Sequence, residues 1–165
     1  MSLPMPNGPT RLIPSASSVR NLAMAGCIAV AIDVEALLRR VVADIFDADV
    51  DATYSTVPKA PQVHRVRLTA DGGKRQAGLR ASYEKFDADI FDLGVSTGLF
   101  EYDDEENEKE AALRALALVV RAYLRGEGRV EQRRGLIRSH RVLKITVDNR
   151  EWVLGHHWSQ YSYPD

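Results

Sequence analysis

Arginines near the C-terminus are the residues of this sequence best suited to bind an anionic partner. The stretch from Arg129 to Arg150 contains seven lysines and arginines and few acids. Guanidinium groups hold carboxylates and phosphates through paired, charge-assisted hydrogen bonds. Arg133, Arg134 and Arg138 are therefore candidate contacts for an acidic protein surface or for RNA. The alternative is that they decorate solvated strand faces that bind nothing.

Aromatic residues are concentrated directly after this basic segment. Four of the twelve aromatic residues lie in the last fourteen positions, namely Trp152, Trp158, Tyr161 and Tyr163. Tryptophan and tyrosine are common anchors of protein interfaces. Trp158 and Tyr161 are thus candidate partner-binding residues. The alternative is that this aromatic tail closes over an open face of a sheet.

A second basic stripe lies on a predicted helix. Arg114, Arg121 and Arg125 share one arc of the helical wheel, and Leu118 lies among them. This stripe extends the candidate surface for an anionic partner. The segment Glu101–Glu110 supplies seven acids, which can neutralise part of its field.

One serine lies in a pentapeptide typical of hydrolases. The run from Gly94 to Gly98 matches G-x-S-x-G, the turn that exposes the nucleophile in many serine hydrolases. Asp148 and His156 follow Ser96 in the chain order of that triad. The rest of the sequence does not fit such a hydrolase, because the fold that carries this motif needs a large parallel sheet and a helix directly after the serine. We expect a glycine-rich bend here, and a small hydrolase centred on Ser96 is an alternative.

Two groups of aspartates supply hard oxygen ligands of the kind that bind Ca²⁺ or Mg²⁺. The first group begins like a calcium-binding loop, but Ala52 replaces the required glycine and Pro58 replaces the bidentate glutamate. An EF-hand is thereby excluded. We expect solvated loop acids, and the alternative is a metal or hydrolase site that joins both groups: Asp47, Asp49, Asp51 and Asp87, Asp89, Asp92.

The histidines do not complete a metal site in the sequence. His156 and His157 are neighbours, and neighbours in a strand point to opposite faces. His140 lies opposite His157 if the last strand runs that far. Two imidazoles without a third ligand make a weak zinc site, and the phosphate-binding and dinucleotide-binding glycine motifs are absent. We expect no metal and no cofactor.

Two amphipathic helices are predicted to hold the core. From Asp33 to Phe46 and from Asp103 to Gly128, apolar residues recur at helical spacing. Asp103 or Asp104 is the expected N-cap of the second helix, and Gly126 is its expected C-terminal glycine. The apolar run Leu22–Ile32 is expected to extend the first helix backwards, although a separate strand is the alternative. On the second helix, we expect Leu116 to be buried and Leu118 to be exposed.

Between and after the helices the period of apolar residues changes to two, which predicts strands. Residues 47–61 are predicted to form a loop, because Pro58 and Pro61 interrupt them. Gln62–Ala70 and the residues after Asp71-Gly72-Gly73 form a predicted hairpin. A third strand is expected over Ala88–Val95, or on to Tyr102 after a break at Gly94.

The C-terminal part is predicted to be a second antiparallel unit. Val130–His140 is a poor strand that is rich in arginine, and Arg141–Val147 is a good one. Asp148-Asn149 is a two-residue turn. It pairs Ile145 with Trp152, and Leu143 with Leu154, so that all four side chains share one face.

Together these elements predict an α+β fold, an antiparallel sheet of about five to six strands packed on two main helices in the order α-β-β-β-α-β-β. Residues 1–16, which hold four of the seven prolines, are predicted to form a flexible tail. Residues 17–165 are predicted to form a single domain. The element order is similar to that of small secretion-chaperone-like domains.

The composition of the chain indicates the cellular compartment in which the protein is expected. The 165 residues carry a net charge of −1 and one cysteine, Cys27, which excludes an internal disulfide and suits a reducing compartment. The run Leu22–Ile32 is too short to span a bilayer. It follows two arginines and has a small-x-small pattern, so a cleaved signal peptide is the alternative. We expect a cytoplasmic protein without a membrane partner.

These observations favour a non-enzymatic protein-binding module of the chaperone, adaptor or immunity type. Its candidate contacts are Arg133, Arg134, Arg138, Trp158 and Tyr161, and its expected partner is another protein with an acidic surface. The first alternative is a nucleic-acid-binding protein that uses the strands between Arg129 and Arg150. The second is a small hydrolase. The sequence does not decide whether the chain self-associates.

Overall fold

The computed structural model describes residues 32–134 and 139–155. They form two helices and eight strands in two antiparallel sheets, which confirms the predicted α+β class. The helices are α1 (Val34–Ile45) and α2 (Glu106–Leu124). The strands are β1 (Asp51–Val57), β2 (Ala60–Ala70), β3 (Arg75–Ala81), β4 (Lys85–Ile90), β5 (Val95–Phe100), β6 (Arg129–Arg134), β7 (Ser139–Val147) and β8 (Arg150–Leu154).

The sheet topology corrects the predicted order of elements. Strands β1 to β5 form one sheet in chain order between the two helices, and β6 to β8 form a second sheet after α2. The two sheets meet where Ser96 of β5 lies opposite Gly155, just after β8. The amide of Ser96 donates to the Gly155 carbonyl at 2.8 Å, and the amide of Gly155 donates back at 3.2 Å.

The predicted loop over residues 47–61 is wrong in its second half. Asp51–Val57 is β1, and it pairs with β2 along the whole length of β1. Pro58 lies in the turn between the two strands, and Pro61 lies next to a register irregularity at Thr56/Val57. Proline is tolerated at strand ends and bulges, so these two residues shape a hairpin instead of preventing one.

The predicted third strand over Ala88–Val95 is wrong as a single strand, and the alternative with a break at Gly94 and a continuation towards Tyr102 is closer to the structure. The chain turns at Phe91–Gly94, where Gly94 has a φ of 65°, and this turn separates β4 from β5. The inward residues of β4 are Phe86, Ala88 and Ile90, which are all buried. The aspartates between them hid this alternation, because buried or half-buried charged residues weaken a strand pattern.

Both helices begin later in the chain than predicted. Asp33 has an extended backbone, and its carboxylate caps α1 by accepting a hydrogen bond from the Ala36 amide at 3.0 Å. A continuous helix from Leu22 into α1 is therefore wrong, and the part of that run before Ile32 lies outside the described residues. Helix α2 starts at Glu106, so neither Asp103 nor Asp104 caps it. Gly126, with a φ of 91°, follows its C-terminal end as predicted.

The C-terminal hairpin confirms the predicted register. Ile145 pairs with Trp152 and Leu143 pairs with Leu154, and all four side chains are buried. Asp148 and Asn149 have φ values of 48° and 62°, which is the geometry of a type I′ turn. The arginine-rich segment Val130–His140 is not one strand, because Arg129–Arg134 and Ser139–Val147 pair with each other as β6 and β7.

The core lies between the helices and the sheets. Helix α1 packs on α2, and α2 also contacts β3, β4 and β7. The buried arc of α2 is as predicted and comprises Leu113, Leu116, Val119, Val120, Tyr123 and Leu124. Leu118, which was expected to be exposed, is half-buried against the edge of this core.

The buried arc of α2 gives a test of the packing. Leu116 is 0% exposed, so Leu116→Ala should lower the free energy of unfolding by about 2–5 kcal/mol, as is usual for buried leucine. Leu118→Ala should cost clearly less, because its side chain keeps part of its contact with water. Urea melts of both variants check this, and equal losses would show that the buried face has been misplaced.

Candidate functional site

Strands β6 and β7 form a basic ribbon, defined here as Arg129–Arg134 together with Ser139–Lys144. Arg133 lies opposite His140, and Arg134 lies opposite Ser139. All four of these residues are exposed. Arg133 and Arg134 are neighbours in a strand, so their side chains leave opposite faces of the ribbon. Cations are thus presented on both sides of it.

The arginines near the end of the ribbon have no acidic partner in the described part of the chain. Glu131 pairs with Arg129 and, at 3.2 Å, with Lys144. Lys144 and then Arg129 hold the pKa of the Glu131 carboxyl below its usual value. Among residues 32–134 and 139–155, no ion pair involves Arg133, Arg134 or Arg141. Within the described segments, no acid neutralises the positive charge of these three arginines.

The stripe of helix arginines makes contacts within the fold. Arg114 pairs with Asp44 of α1 and with Glu110. Arg125 pairs with Asp47, which follows α1, at 2.8 Å. Arg121 donates to the carbonyl oxygen of Ile45 at the end of α1. These guanidinium groups fasten α2 to α1, so the stripe is occupied within the fold.

The acids at the start of α2 also serve the contact between the helices. Glu106 and Glu110 both accept hydrogen bonds from Arg40 of α1, at 2.7 and 2.6 Å. The sequence suggested that these acids neutralise the neighbouring basic stripe. Glu110 does so for Arg114, and both acids also pair with Arg40.

A cleft of about 420 Å³ adjoins the first residue pairs of the ribbon. Val130 and Leu143, which are partners across β6 and β7, form one wall. Tyr123 lies at the other side, where its hydroxyl donates to the Asp92 carboxylate. Burial and this hydrogen bond raise the pKa of the Tyr123 phenol. The remaining lining residues are Asp71, Lys74, Arg75, Leu93, Gly126, Glu127 and Gly128.

Arg75 organises the side of this cleft nearest α2. Its guanidinium donates to the Tyr123 carbonyl at 2.7 Å and lies 5.6 Å from the centre of the Tyr123 ring. A Cβ atom at Gly126 would come within 3.2 Å of the same guanidinium. Sequence reasoning missed this arrangement, because Arg75, Asp92 and Tyr123 lie far apart in the chain and belong to no common motif.

Lys109 is a buried charge that the sequence analysis also missed. Its side chain is 0% exposed, and its ammonium donates to the carbonyls of Tyr83 and Glu101 at 2.8 and 3.1 Å. The ammonium also lies 4.4 Å from the centre of the Tyr83 ring. Two carbonyls and a π face satisfy a buried ammonium. A signal was present, because Lys109 lies on the same wheel arc as Leu113 and Leu116.

The aspartates serve separate contacts. Asp87 lies 3.2 Å from Lys85, and Asp89 lies 2.9 Å from Arg80, so both belong to ion pairs on the outer face of the five-stranded sheet. Asp92 accepts from Tyr123, and Asp47 pairs with Arg125. In the described part of the chain, no group of three or more acids, histidines or cysteines is arranged to hold a metal ion.

Ser96 does not occupy a nucleophile elbow. It lies inside β5, where it pairs with Asp89 on one side and with Gly155 on the other. The local backbone structure explains why both ends of the pentapeptide are glycine. Gly94 takes the positive φ of the turn, and a Cβ atom at Gly98 would lie 2.4 Å from the Asp87 carboxylate.

Several predicted contacts lie outside the described residues. These are Arg138 in the segment between β6 and β7, and His156, His157, Trp158 and Tyr161 after β8. The predicted tail over residues 1–16, Cys27 and most of Leu22–Ile32 lie outside them too. The roles assigned to these residues, and the division of the chain into domains, stay predictions.

The chain was compared with known proteins. No protein family, no curated protein and no solved structure matches it. Neither helix of the described segments is long and apolar enough to cross a membrane.

The ion pairs between the helices give a dependence on pH. Hydrogen bonds from Arg114 and then from Arg40 lower the pKa of Glu110 below its ordinary value of 4.5. A carboxylate whose pKa is lowered by folding stabilises the protein above its unfolded pKa, and this contribution is lost as the pH falls through the lowered value. Glu110→Gln should cost up to about 1 kcal/mol at neutral pH, as for partly exposed ion pairs.

That difference between wild type and Glu110→Gln should begin to shrink as the pH falls below 4.5 and should be lost once the pH has fallen through the lowered pKa of Glu110. Urea melts across a pH series measure it. Glu108→Gln is the matched control, because Glu108 lies in the same part of α2, is exposed and makes no ion pair in the described segments. A penalty for Glu110→Gln that stays constant across the series would contradict this account of the helix contact.

The position of Ser96 predicts that the chain has no serine hydrolase activity. Ser96 lies inside a paired strand and is therefore not exposed on a sharp turn. Among the described residues, no histidine forms a hydrogen bond with its hydroxyl. A fluorophosphonate probe should therefore leave Ser96 unlabelled when the protein is analysed by mass spectrometry. Stoichiometric labelling that is lost in Ser96→Ala would overturn this prediction.

Proposed function

We propose that the chain is a non-enzymatic protein-binding module, of the chaperone, adaptor or immunity type, whose partner presents an acidic surface to the β6–β7 ribbon. One observation carries the proposal. The arginines of α2 are consumed by contacts with α1, whereas Arg133, Arg134 and Arg141 have no acidic partner in the described segments. Exposed guanidinium groups favour partners that offer carboxylates in a planar, bidentate geometry.

The composition of the ribbon favours a protein over a nucleic acid. Glu131 lies in the middle of β6, on the same face as Arg129 and Arg133, where it would repel a continuous row of phosphates. Val130 and Val153 expose 48% and 46% of their surfaces. Apolar area next to arginine is characteristic of protein interfaces. Trp158 and Tyr161, which follow β8 in the chain, are the proposed aromatic anchors.

A nucleic acid is the second candidate partner, and one observation supports it. A two-stranded ribbon with arginines on both faces has the width of elements that enter the major groove of DNA. Such binding rests largely on the release of counterions from phosphates, so its affinity falls steeply with salt. Salt dependence therefore separates the two candidates.

The test begins with capture from nuclease-treated lysate of the source cell, followed by purification of the captured protein. Its affinity and that of a generic RNA are then measured across a salt series for wild type, Arg133→Ala/Arg134→Ala and Trp158→Ala. Lys59→Ala/Arg67→Ala is the control, because it removes the same charge from exposed positions of the other sheet. We expect loss of the protein partner in both test variants and retention in the control.

RNA should bind weakly and without saturation to every variant. Tight binding of RNA that Arg133→Ala/Arg134→Ala abolishes and Trp158→Ala leaves unchanged would replace the protein partner by a nucleic acid. Equal binding of the purified protein partner to wild type and to the arginine variant would remove the ribbon from the interface.

A further inference from the structure

The outer edge of β6 pairs with no other strand of the described segments. Among the described strands only β7 pairs with β6, and β6 is the first strand of its sheet. An open edge presents a row of backbone amides and carbonyls that can pair with another chain. Proteins bind extended peptides in this way, with backbone hydrogen bonds providing affinity and side-chain pockets providing specificity.

The register identifies which backbone groups of β6 point outward. In a two-residue hairpin the residues that flank the turn exchange hydrogen bonds, so Val147 bonds with Arg150. Residues that bond across a pair alternate along a strand. Lys144 and Val142 lie one and three places before Ile145, which bonds with β8, so they bond with β6 instead.

The partners of Lys144, Val142 and His140 on β6 are Arg129, Glu131 and Arg133. These three residues of β6 turn their backbone groups towards β7. The residues between them, which turn their amides and carbonyls to the open edge, are Val130, Gln132 and Arg134. The mutual hydrogen bonds between Gly155 and Ser96 fit the same alternation, since they point away from β7.

The cleft of about 420 Å³ lies on one face of this edge. Val130 forms part of its wall, and Leu93 and Leu143 add further apolar surface. A strand added along β6 turns every second side chain to this face. One of these side chains would lie beside Val130, at the mouth of the cleft, where an apolar group of the partner would lose its contact with water.

We propose that β6 binds an extended acidic segment of the partner by strand addition. The outward backbone groups of Val130, Gln132 and Arg134 pair with the backbone of that segment. Its carboxylates meet the guanidinium group of Arg133 on one face of β6, and the cleft next to Val130 receives one of its apolar side chains on the opposite face. This inference rests on the proposed function and adds the conformation and the chemistry of the bound segment.

Charge argues against a second copy of this chain as the occupant. Pairing of β6 with β6 of another molecule would bring together two strands that each carry a net positive charge, which is electrostatically unfavourable. The strand carries Arg129, Arg133 and Arg134 against the single acid Glu131. The same charges attract a segment in which acidic and apolar residues alternate.

Gln132 allows the backbone contribution to be separated from the charge. Gln132→Pro removes an outward amide, and the bond between β6 and β7 is kept because that amide does not take part in it. Gln132→Thr keeps the amide and is the matched control. Both variants lose the hydrogen bond between the Gln132 side chain and Ser139, so this loss cancels in the comparison.

The probe is a ten-residue peptide of alternating glutamate and valine, with binding measured by fluorescence anisotropy on the full chain. We expect Gln132→Pro to bind the peptide at least tenfold more weakly than Gln132→Thr, with both variants melting at the same temperature. A second peptide is N-methylated at alternate residues on its hydrogen-bonding edge and keeps all its charge. It should bind the wild-type chain at least tenfold more weakly than its parent.

The outcomes distinguish the two levels of the proposal. If both peptides bind equally and Arg133→Ala/Arg134→Ala weakens both, strand addition is overturned while the charged ribbon stands as the interface. If the parent peptide does not bind at all, strand addition is overturned as well. If a ten-residue oligonucleotide binds more tightly than the peptide and only the arginine variant abolishes this, the proposed function itself falls.

Discussion

Burial of the apolar arc of α2 is the constraint on which the rest of the structure depends. This helix packs against β3 and β4 of the larger sheet, against β7 of the smaller sheet and against α1. Leu113, Leu116 and Val120 are fully buried at its centre, and burying side chains of this size stabilises a fold by about 1.5–3 kcal/mol each. The ribbon thus extends from a sheet that α2 holds in place.

The charged side chains around α2 differ in the groups that they contact. At the contact between α1 and α2, Arg40, Arg114 and Arg125 each form an ion pair with an acid. The buried Lys109 meets carbonyl oxygens instead. At the end of the ribbon, Arg133, Arg134 and Arg141 form no ion pair within the described segments. This difference in pairing is the basis of the proposed interface.

Basic side chains on an edge strand have two physical effects. Charged side chains on an edge protect a protein against aggregation, because they repel a second copy of the same strand. The same side chains select a partner of opposite charge. The two effects are compatible, because the same residues that repel a second copy of the strand attract an acidic segment, and this difference is the basis of specificity.

The sequence by itself determined the parts that local periodicity encodes. It determined α1 from Val34 onward, the buried arc of α2 and the register that pairs Ile145 with Trp152, because each depends on spacing within one element or across one tight turn. The tertiary structure decided what depends on distant residues. Asp51–Val57 became a strand because β2 was available to pair with it, the arginines of α2 were occupied because α1 placed acids beside them, and Tyr123 met Asp92 only through packing.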